Sequence, residues 1–320
     1  AAGFDAVVVG EGEATLVDLL LALLDGQDWR GVAGLAYLRD GRCVRTGRRA
    51  PVELDRVPCF AASARRYGYF EITRGCPWGC RFCQITYHFG GRPRHRSVER
   101  VASEVERFLA TGNRFVRFLT PNALAYATDG RSADLAAVER LLAAVRRAAP
   151  QPARIYFGSF PAEVRPEFVS REALELIRTY ADNDNIVIGA QSGSDRVLER
   201  IHRGHTVADV RRATELILEA GFRAYVDFIV GLPGEEAADA EASLRMIEEL
   251  AEQGAKVRIH GFMPLPGTPF ARERPGVLTE EARRRLQRLT GRGRLFGKWK
   301  RQRELAQALH ARRAEPDGAA

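Results

Sequence analysis

Cys76, Cys80 and Cys83 place three of the five cysteines of this 320-residue chain inside eight positions, in the stretch RGCPWGCRFC from Arg74 to Cys83. Thiolates are soft ligands suited to iron–sulfur clusters or zinc, and Gly75 and Gly79 free the backbone to wrap around a bound object. A cubane cluster has four irons, so three cysteines leave one iron open for chemistry. Zinc would require a fourth ligand, which His88 or His95 would supply. A redox dithiol of Cys80 and Cys83 alone would leave Cys76 unexplained. Cys43 and Cys59 stand too far away in sequence to suggest a shared site. An odd number of cysteines, three of them clustered, argues against a secreted disulfide framework and for metal or redox chemistry in a reducing compartment, so a cytoplasmic location is expected.

A scaffold must hold such a loop. From Tyr69 the pattern alternates strand and helix six times, with strands at about 69–73, 115–119, 153–158, 186–190, 224–230 and 256–262 and helices that include 97–111, 134–148, 170–181, 206–220 and 236–253. Buried apolar strands alternating with helices imply a parallel sheet. The fold class expected is α/β, a partial TIM-like (β/α)6 barrel with its site at the C-terminal strand ends. Polar and glycine-rich stretches fall on that rim: the cysteines after the first strand, Thr120-Pro121-Asn122 after the second, Ser159 after the third, Gln191-Ser192-Gly193 after the fourth, Gly231 to Glu235 after the fifth, and Met263 to Pro269 after the sixth.

The flanks divide the chain further. Residues 1–30 read as strand, glycine-rich turn and leucine-rich helix, the last unit of an α/β domain whose upstream part is missing, with Phe4 to Val9 a buried-strand pattern. Residues 31–60 hold a hairpin about Asp40-Gly41 and a linker, 61–275 the barrel, and 276–320 a basic helical tail. The longest apolar run, Leu16 to Leu24, includes Asp18 and is too short to span a bilayer, so no membrane partner is expected. Of the net charge of +8, the stretch from Arg283 to Arg313 carries twelve Lys/Arg against Glu304 alone, leaving −3 elsewhere. Such a tail can bind RNA or acidic partners; the plainer alternative is a solvated terminal helix. Gly291 and Gly293 should break it into two helices that pack across the barrel's open side, with Trp299 in the core. In RPRHR, Arg92 to Arg96, His95 could donate a proton or the arginines could steer an anion; the alternative is a basic loop before a helix capped by Ser97.

The motif Cys76-Pro-Trp-Gly-Cys80-Arg-Phe82-Cys83 resembles the hallmark of the radical S-adenosylmethionine (SAM) enzymes, C-x3-C-x-aromatic-C. The likeness extends over roughly residues 60–275 through IGAQSGSDRVLERIHRGHT, Ile188 to Thr206, and DFIVGLPGEE, Asp227 to Glu236. It implies a 4Fe–4S cluster on the three cysteines, with SAM on the fourth iron and an external low-potential electron donor such as flavodoxin or ferredoxin. Reductive cleavage to a 5′-deoxyadenosyl radical would then abstract hydrogen from a substrate the sequence does not identify. Carried over by position, Phe82 should lie along the adenine, and Gly231 and Leu232 should let backbone approach its edge. Gln191 and Ser192 should contact the ribose or amino group, Arg203 the carboxylate, with Ser159 and Met263 completing the rim. The plainer alternatives are a packed loop aromatic, a tight turn, a helix cap at Ser192-Gly193-Ser194-Asp195 and a surface arginine. Where many members have Gly-Gly-Glu, this chain reads Leu119-Thr120-Pro121-Asn122, so Asn122 stands in for the carboxylate.

The opening FDAVVVGEGEATLVDLL, the hairpin GLAYLRDGRCVRTG, and ITRGCPWGCRFCQ with RPRHRSVERV and FLTPNALAYA resemble poorly characterised cobalamin-binding/radical SAM domain proteins. That branch implies cobalamin in the full-length parent and radical-supported methyl transfer. The runner-up is a methylthiotransferase acting on RNA or protein, whose upstream cysteine trio and C-terminal β-barrel are not matched here. A non-catalytic iron–sulfur or zinc protein with a nucleic-acid-binding tail is the reading from another class.

Overall fold

The computed structural model describes residues 3–314; residues 1–2 of the first unit and 315–320 of the tail lie outside them. The chain begins with β1 (Ala6–Val8) and α1 (Glu13–Leu24), followed by β2 (Leu35–Arg39) and β3 (Arg42–Arg45). Asp40 and Gly41 both take positive φ, 51° and 73°, which makes the two-residue hairpin turn that matches strand twist. β1 pairs antiparallel with β2, so the hairpin and the first strand form one small sheet. The expected burial of the first strand does not hold, because Phe4 is 71% and Val7 53% exposed. Leu20 and Leu24 of α1 also face solvent among the described residues.

The remaining elements are β4 (Phe70–Glu71), β5 (Thr73–Arg74), α2 (Gln84–Phe89), β6 (Arg94–His95), α3 (Val98–Leu109), β7 (Phe115–Leu119), α4 (Leu135–Ala148), β8 (Arg154–Tyr156), α5 (Arg171–Tyr180) and β9 (Asn185–Gln191). They continue as α6 (Asp195–Arg200), α7 (Val207–Glu219), β10 (Arg223–Val230), α8 (Ala237–Glu252), β11 (Lys256–Gly261), α9 (Glu280–Gly291), β12 (Leu295–Phe296) and α10 (Trp299–Ala314). β4, β7 and β8 pair in parallel, as do β9, β10, β11 and β12. The two groups join where the Val187 amide donates to the Gly158 carbonyl (2.8 Å) and the Val164 amide to the Val187 carbonyl (2.9 Å). The result is an α/β fold in which successive strands are neighbours, with no ladder among the described residues returning β12 to β4.

Helix positions follow the chemistry of their starts. Ser97, Asp134, Ser170 and Thr206 each accept the amide three residues on, satisfying a donor the first turn leaves free. The first strand differs from expectation. It pairs with β7 only to Ile72, whose amide donates to the Leu119 carbonyl (3.0 Å), and Thr73 and Arg74 then pair antiparallel with β6. Phe70, Phe118, Phe157, Val226 and Ile259 sit in the main core, and a smaller cluster gathers Leu198, Ile201, Leu232, Phe262 and Phe270. The tail breaks into α9 and α10 around β12, which extends the sheet beside β11. Arg285 ties α9 to Glu241 and Glu248 of α8 (2.6 and 2.7 Å), and Trp299 is buried.

Candidate functional site

The loop between β5 and α2 carries the three cysteines and is fixed from several sides. Gly75 has φ +93°, and a Cβ there would stand 2.8 Å from the Arg92 carbonyl oxygen, so a side chain is excluded. The Cys76 amide donates to Gly90 O (3.1 Å), and the Thr86 hydroxyl donates to Cys76 O (2.8 Å) while accepting from the Gly79 amide (3.2 Å). Trp78 Nε1 donates to Gly130 O (2.9 Å), one ring edge rests on Gly204, and the Arg165 guanidinium lies 3.7 Å from the ring centre. The Arg81 amide donates to Ile201 O (3.0 Å) and the Phe270 amide to Arg81 O (3.2 Å), while Gln84 Nε2 donates to Pro266 O (2.8 Å).

A cavity of about 150 Å³ opens beside this loop, lined by all three cysteines together with Phe82, Thr86, Glu163, Arg165, Gln191 and Arg203. The thiols are free. Burial pushes the Cys83 thiol up to about 11 and raises that of Cys76, so each gives up a proton on ligating metal. Among the described residues no three His, Cys, Asp or Glu side chains converge on a single-ion position. Three thiols lining one cavity are a soft donor set of the kind that holds iron–sulfur clusters. The histidines offered for zinc are placed otherwise. His95 Nδ1 accepts from the Ala127 amide (3.1 Å) and its Nε2 lies 2.8 Å from Thr128 O, while the His88 ring packs edge-on against Phe89.

Arg203 is not a surface residue. Its Nη1 donates to Cys80 Sγ (3.7 Å) and its Nη2 to Gly189 O (2.9 Å), while Nε is buried without a partner. Arg165, stacked on Trp78, donates to the Arg203 carbonyl and to Glu167 Oε1 (2.5 Å). Deeper in, Arg258 Nη2 lies 2.7 Å from Glu163 and its Nε 2.8 Å from Asp227 Oδ1. Burial and the neighbouring Asp227 carboxylate raise Glu163 above the usual carboxylate range. Trp78, Glu163, Arg165 and Asp227 were not singled out from sequence. A carboxylate inside the apolar strand DFIV was the available signal, since a buried charge needs a partner.

The other expected contacts divide. Gln191, with φ 69°, lines the cavity at the end of β9. Ser192 is buried beside it, its Oγ 3.2 Å from Ser243 Oγ and accepting from the Ser194 amide (3.2 Å), and Ser194 caps α6. Asn122 Oδ1 accepts from the Arg165 amide (3.3 Å) and its Nδ2 is unpartnered, in a crevice shared with Cys76, Pro77 and Trp78. Ser159 is buried with an unpartnered hydroxyl, outside the cavity lining. Gly231, at φ +76°, closely faces Gly276, whose amide donates to its carbonyl (2.9 Å). Leu232 lies in the small apolar cluster against which Phe82 packs, and Met263 is partly buried just beyond β11. Arg94 and Arg96 do not reach toward an anion. Arg94 pairs with Glu11 and donates to Val52 O (2.6 Å), and Arg96 donates to Leu54 O, Val57 O (2.6 Å) and Glu71 O (3.0 Å). Arg74, next to the cysteine loop, is paired with Glu71 (2.7 Å), Glu11 (3.1 Å) and Glu13 (2.7 Å).

The profile of the Radical SAM superfamily matches residues 70–247. The chain is 27% identical over 319 residues to the uncharacterized protein MK0932 of Methanopyrus kandleri, covering 86% of this chain and 60% of that protein. It is 34% identical over 232 residues to a tRNA-2-methylthio-N(6)-dimethylallyladenosine synthase of Halorhodospira halophila, covering 70% and 46% respectively. The chain thus spans about half the length of these relatives. Its fold is shared with the radical S-adenosylmethionine methyltransferase TsrM of Kitasatospora setae, at TM-score 0.65 and 19% identity, over 84% of this chain and 53% of that one.

Proposed function

Because the chain belongs to the Radical SAM superfamily, we propose that Cys76, Cys80 and Cys83 hold a 4Fe–4S cluster with SAM on its open iron, within a catalytic unit of residues 61–275. The observation that carries this is the single cavity in which the three thiols meet Phe82, Gln191 and Arg203. The bound pair supplies a 5′-deoxyadenosyl radical by one-electron cleavage of the sulfonium. Arg203 supplies a fixed cation beside Cys80 that suits a carboxylate. Gln191 offers an amide at the strand end, and Phe82, backed by Leu232, Phe262 and Phe270, offers an apolar wall for the adenine. Glu163, which lines the cavity and is raised by desolvation and the neighbouring Asp227 carboxylate, can hold or pass a proton there. Ser192 and Asn122 act from behind these residues in this reading, as props for the rim. Water exclusion by the walls protects a radical from quenching.

The reading extends to cobalamin-assisted methyl transfer in the whole protein, with residues 1–30 as the edge of a cobalamin-binding-like domain, 31–60 as hairpin and linker, and 276–320 as the tail. The uncovered apolar faces of β1 and α1 support an adjoining domain. The test is anaerobic reconstitution with iron and sulfide, reduction, and electron paramagnetic resonance with and without SAM. A cluster signal that shifts on adding SAM, with 5′-deoxyadenosine formed and both effects lost in Cys76→Ala, is expected. A cluster blind to SAM, or one equivalent of zinc, would overturn the reading.

A further inference from the structure

On the solvent side of the cysteine loop, and separate from the thiol-lined cavity, lies an open cleft of about 460 Å³ bordered by Pro77, Arg92, Pro93, Thr128, Asp129 and Arg131. Pro77 is joined by one peptide bond to Cys76. Pro77 and Pro93 also line a narrow crevice that Cys76 borders, so the cleft and the first cysteine share these two neighbours. The cleft shares no lining residue with the cavity. A molecule seated in it would lie one peptide bond from Cys76 and leave the cavity free for SAM and substrate.

The charge on this rim has one sign to spare. Arg92 and Arg131 are exposed, and neither is paired with a carboxylate side chain among the described residues. Arg131 lies over Trp78 (5.5 Å to the ring centre) and its Nη2 donates to Pro77 O (3.3 Å), which holds its guanidinium beside the cleft it lines. Asp129 is the opposing charge, and its Oδ1 is engaged by the Arg131 amide (2.9 Å). Arg74 is paired with three carboxylates, Arg94 with Glu11 and Arg165 with Glu167, while Arg81 lies over the Phe270 ring and Arg203 faces Cys80 inside the thiol-lined cavity, away from this rim. Unpaired cations at a concave rim attract anionic surfaces and speed their encounter.

We propose that this cleft is the docking site for the electron donor, an acidic one-electron carrier protein of the flavodoxin or ferredoxin kind. The proposal rests on the reading above, since only a cluster on Cys76 gives the cleft an acceptor. A donor seated there would give up one electron to an oxidised cluster held by Cys76, Cys80 and Cys83, and that electron would serve to cleave the C5′–S bond of SAM to methionine and the 5′-deoxyadenosyl radical.

The experiment measures the Kd of flavodoxin for the cluster-free protein by titration calorimetry, which should rise at least tenfold in the double variant below, and compares two reductants for the same SAM cleavage, dithionite and reduced flavodoxin with its NADPH-dependent reductase. In the double variant Arg92→Glu/Arg131→Gln, where the glutamine keeps a donor for Pro77 O, KM for flavodoxin should rise at least tenfold while the dithionite-driven rate stays at the wild-type level. Asp129→Asn, which keeps the oxygen that the Arg131 amide uses, should lower KM for flavodoxin. Added salt should raise the wild-type KM and leave that of the double variant nearly flat. An unchanged flavodoxin KM in the double variant would overturn the proposal, as would an equal loss with both reductants, which would mark a damaged cysteine loop. No cleavage by wild-type protein with dithionite would overturn the radical SAM reading itself.

Discussion

Nη1 of Arg203 stands 3.7 Å from Sγ of Cys80, and Nη2 of the same guanidinium is pinned to the Gly189 carbonyl at 2.9 Å. One side chain therefore donates to the sulfur proposed as a cluster ligand and to the backbone of β9. Partners of this kind orient metal ligands and tune the centre they hold, and their loss typically costs about 10–100-fold in affinity or activity. Arg203→Ala should lower 5′-deoxyadenosine formation by that order while iron content remains near that of wild type. Arg203→Lys should recover little, because an ammonium cannot span both acceptors. Iron analysis beside product quantification checks this, and full activity in Arg203→Ala would remove the residue from the site.

Gly75 makes a sharper demand. Its φ is +93°, and the Arg92 carbonyl oxygen stands 2.8 Å from where the methyl of an alanine would sit, so there is no room for one. Gly75→Ala should cost at least about 1–2 kcal/mol from the backbone conformation alone, with the cysteine loop displaced. The expected outcome is reduced iron and sulfide per chain after reconstitution, against near-normal loading for Gly91→Ala, whose added methyl would meet only the Thr86 methyl at 3.9 Å.

Glu11 fastens the N-terminal sheet to the barrel through Arg94 and Arg74, at the foot of the cysteine loop. Breaking a mostly buried pair on one side costs on the order of 3 kcal/mol. Glu11→Ala should therefore speed hydrogen exchange across β1 to β3 while the barrel strands keep their protection. Uniform loss of protection would mean that the two parts unfold as one.

His205 gives the molecule an acid limit. Burial, with Arg203 and Arg165 nearby, lowers it from 6.5 to about 2, and its Nε2 lies 3.2 Å from Ala190 O. In the unfolded chain the imidazole takes up a proton below about 6.5, whereas in the folded chain it stays neutral, so stability is intact above that pH and declines as pH falls toward 2. At pH 5 the loss is about 2 kcal/mol. His205→Gln, which keeps a donor for Ala190 O, should flatten the fall in thermal midpoint between pH 7 and pH 5. An identical fall in the variant would assign the acid sensitivity elsewhere.

Much of the scaffold was readable in the chain because its signals are local. Amphipathic repeats with Ser97, Asp134, Ser170 and Thr206 at their starts give α3, α4, α5 and α7 to within a residue or two. β12 was not readable, since two residues carry no periodicity and the strand exists only because β11 offers it an edge. The cysteines were legible as a cluster of one reactive type, but Glu163 and Arg165 meet them only when the loop after β8 folds against the cysteine loop. Gln191 and Ser192 show the limit of alternation. The positive φ at Gln191 takes the backbone out of strand geometry, so the two-residue period no longer tells which of the pair faces inward.

The bonds that tie Arg81 and Gln84 to the segment after β11 have a mechanical meaning for an open sheet. β4 and β12 never meet, so the curvature of a C-shaped wall depends on what bridges its two ends. Here the bridge is the cysteine loop, which leaves the first unit and grips the Phe270 amide and the Pro266 carbonyl at the far end of the series. The loop works as a clasp: whatever loosens it lets the wall splay, and whatever rigidifies it holds the rim to a fixed span. The position of the first loop is thereby transmitted to the segment that follows β11.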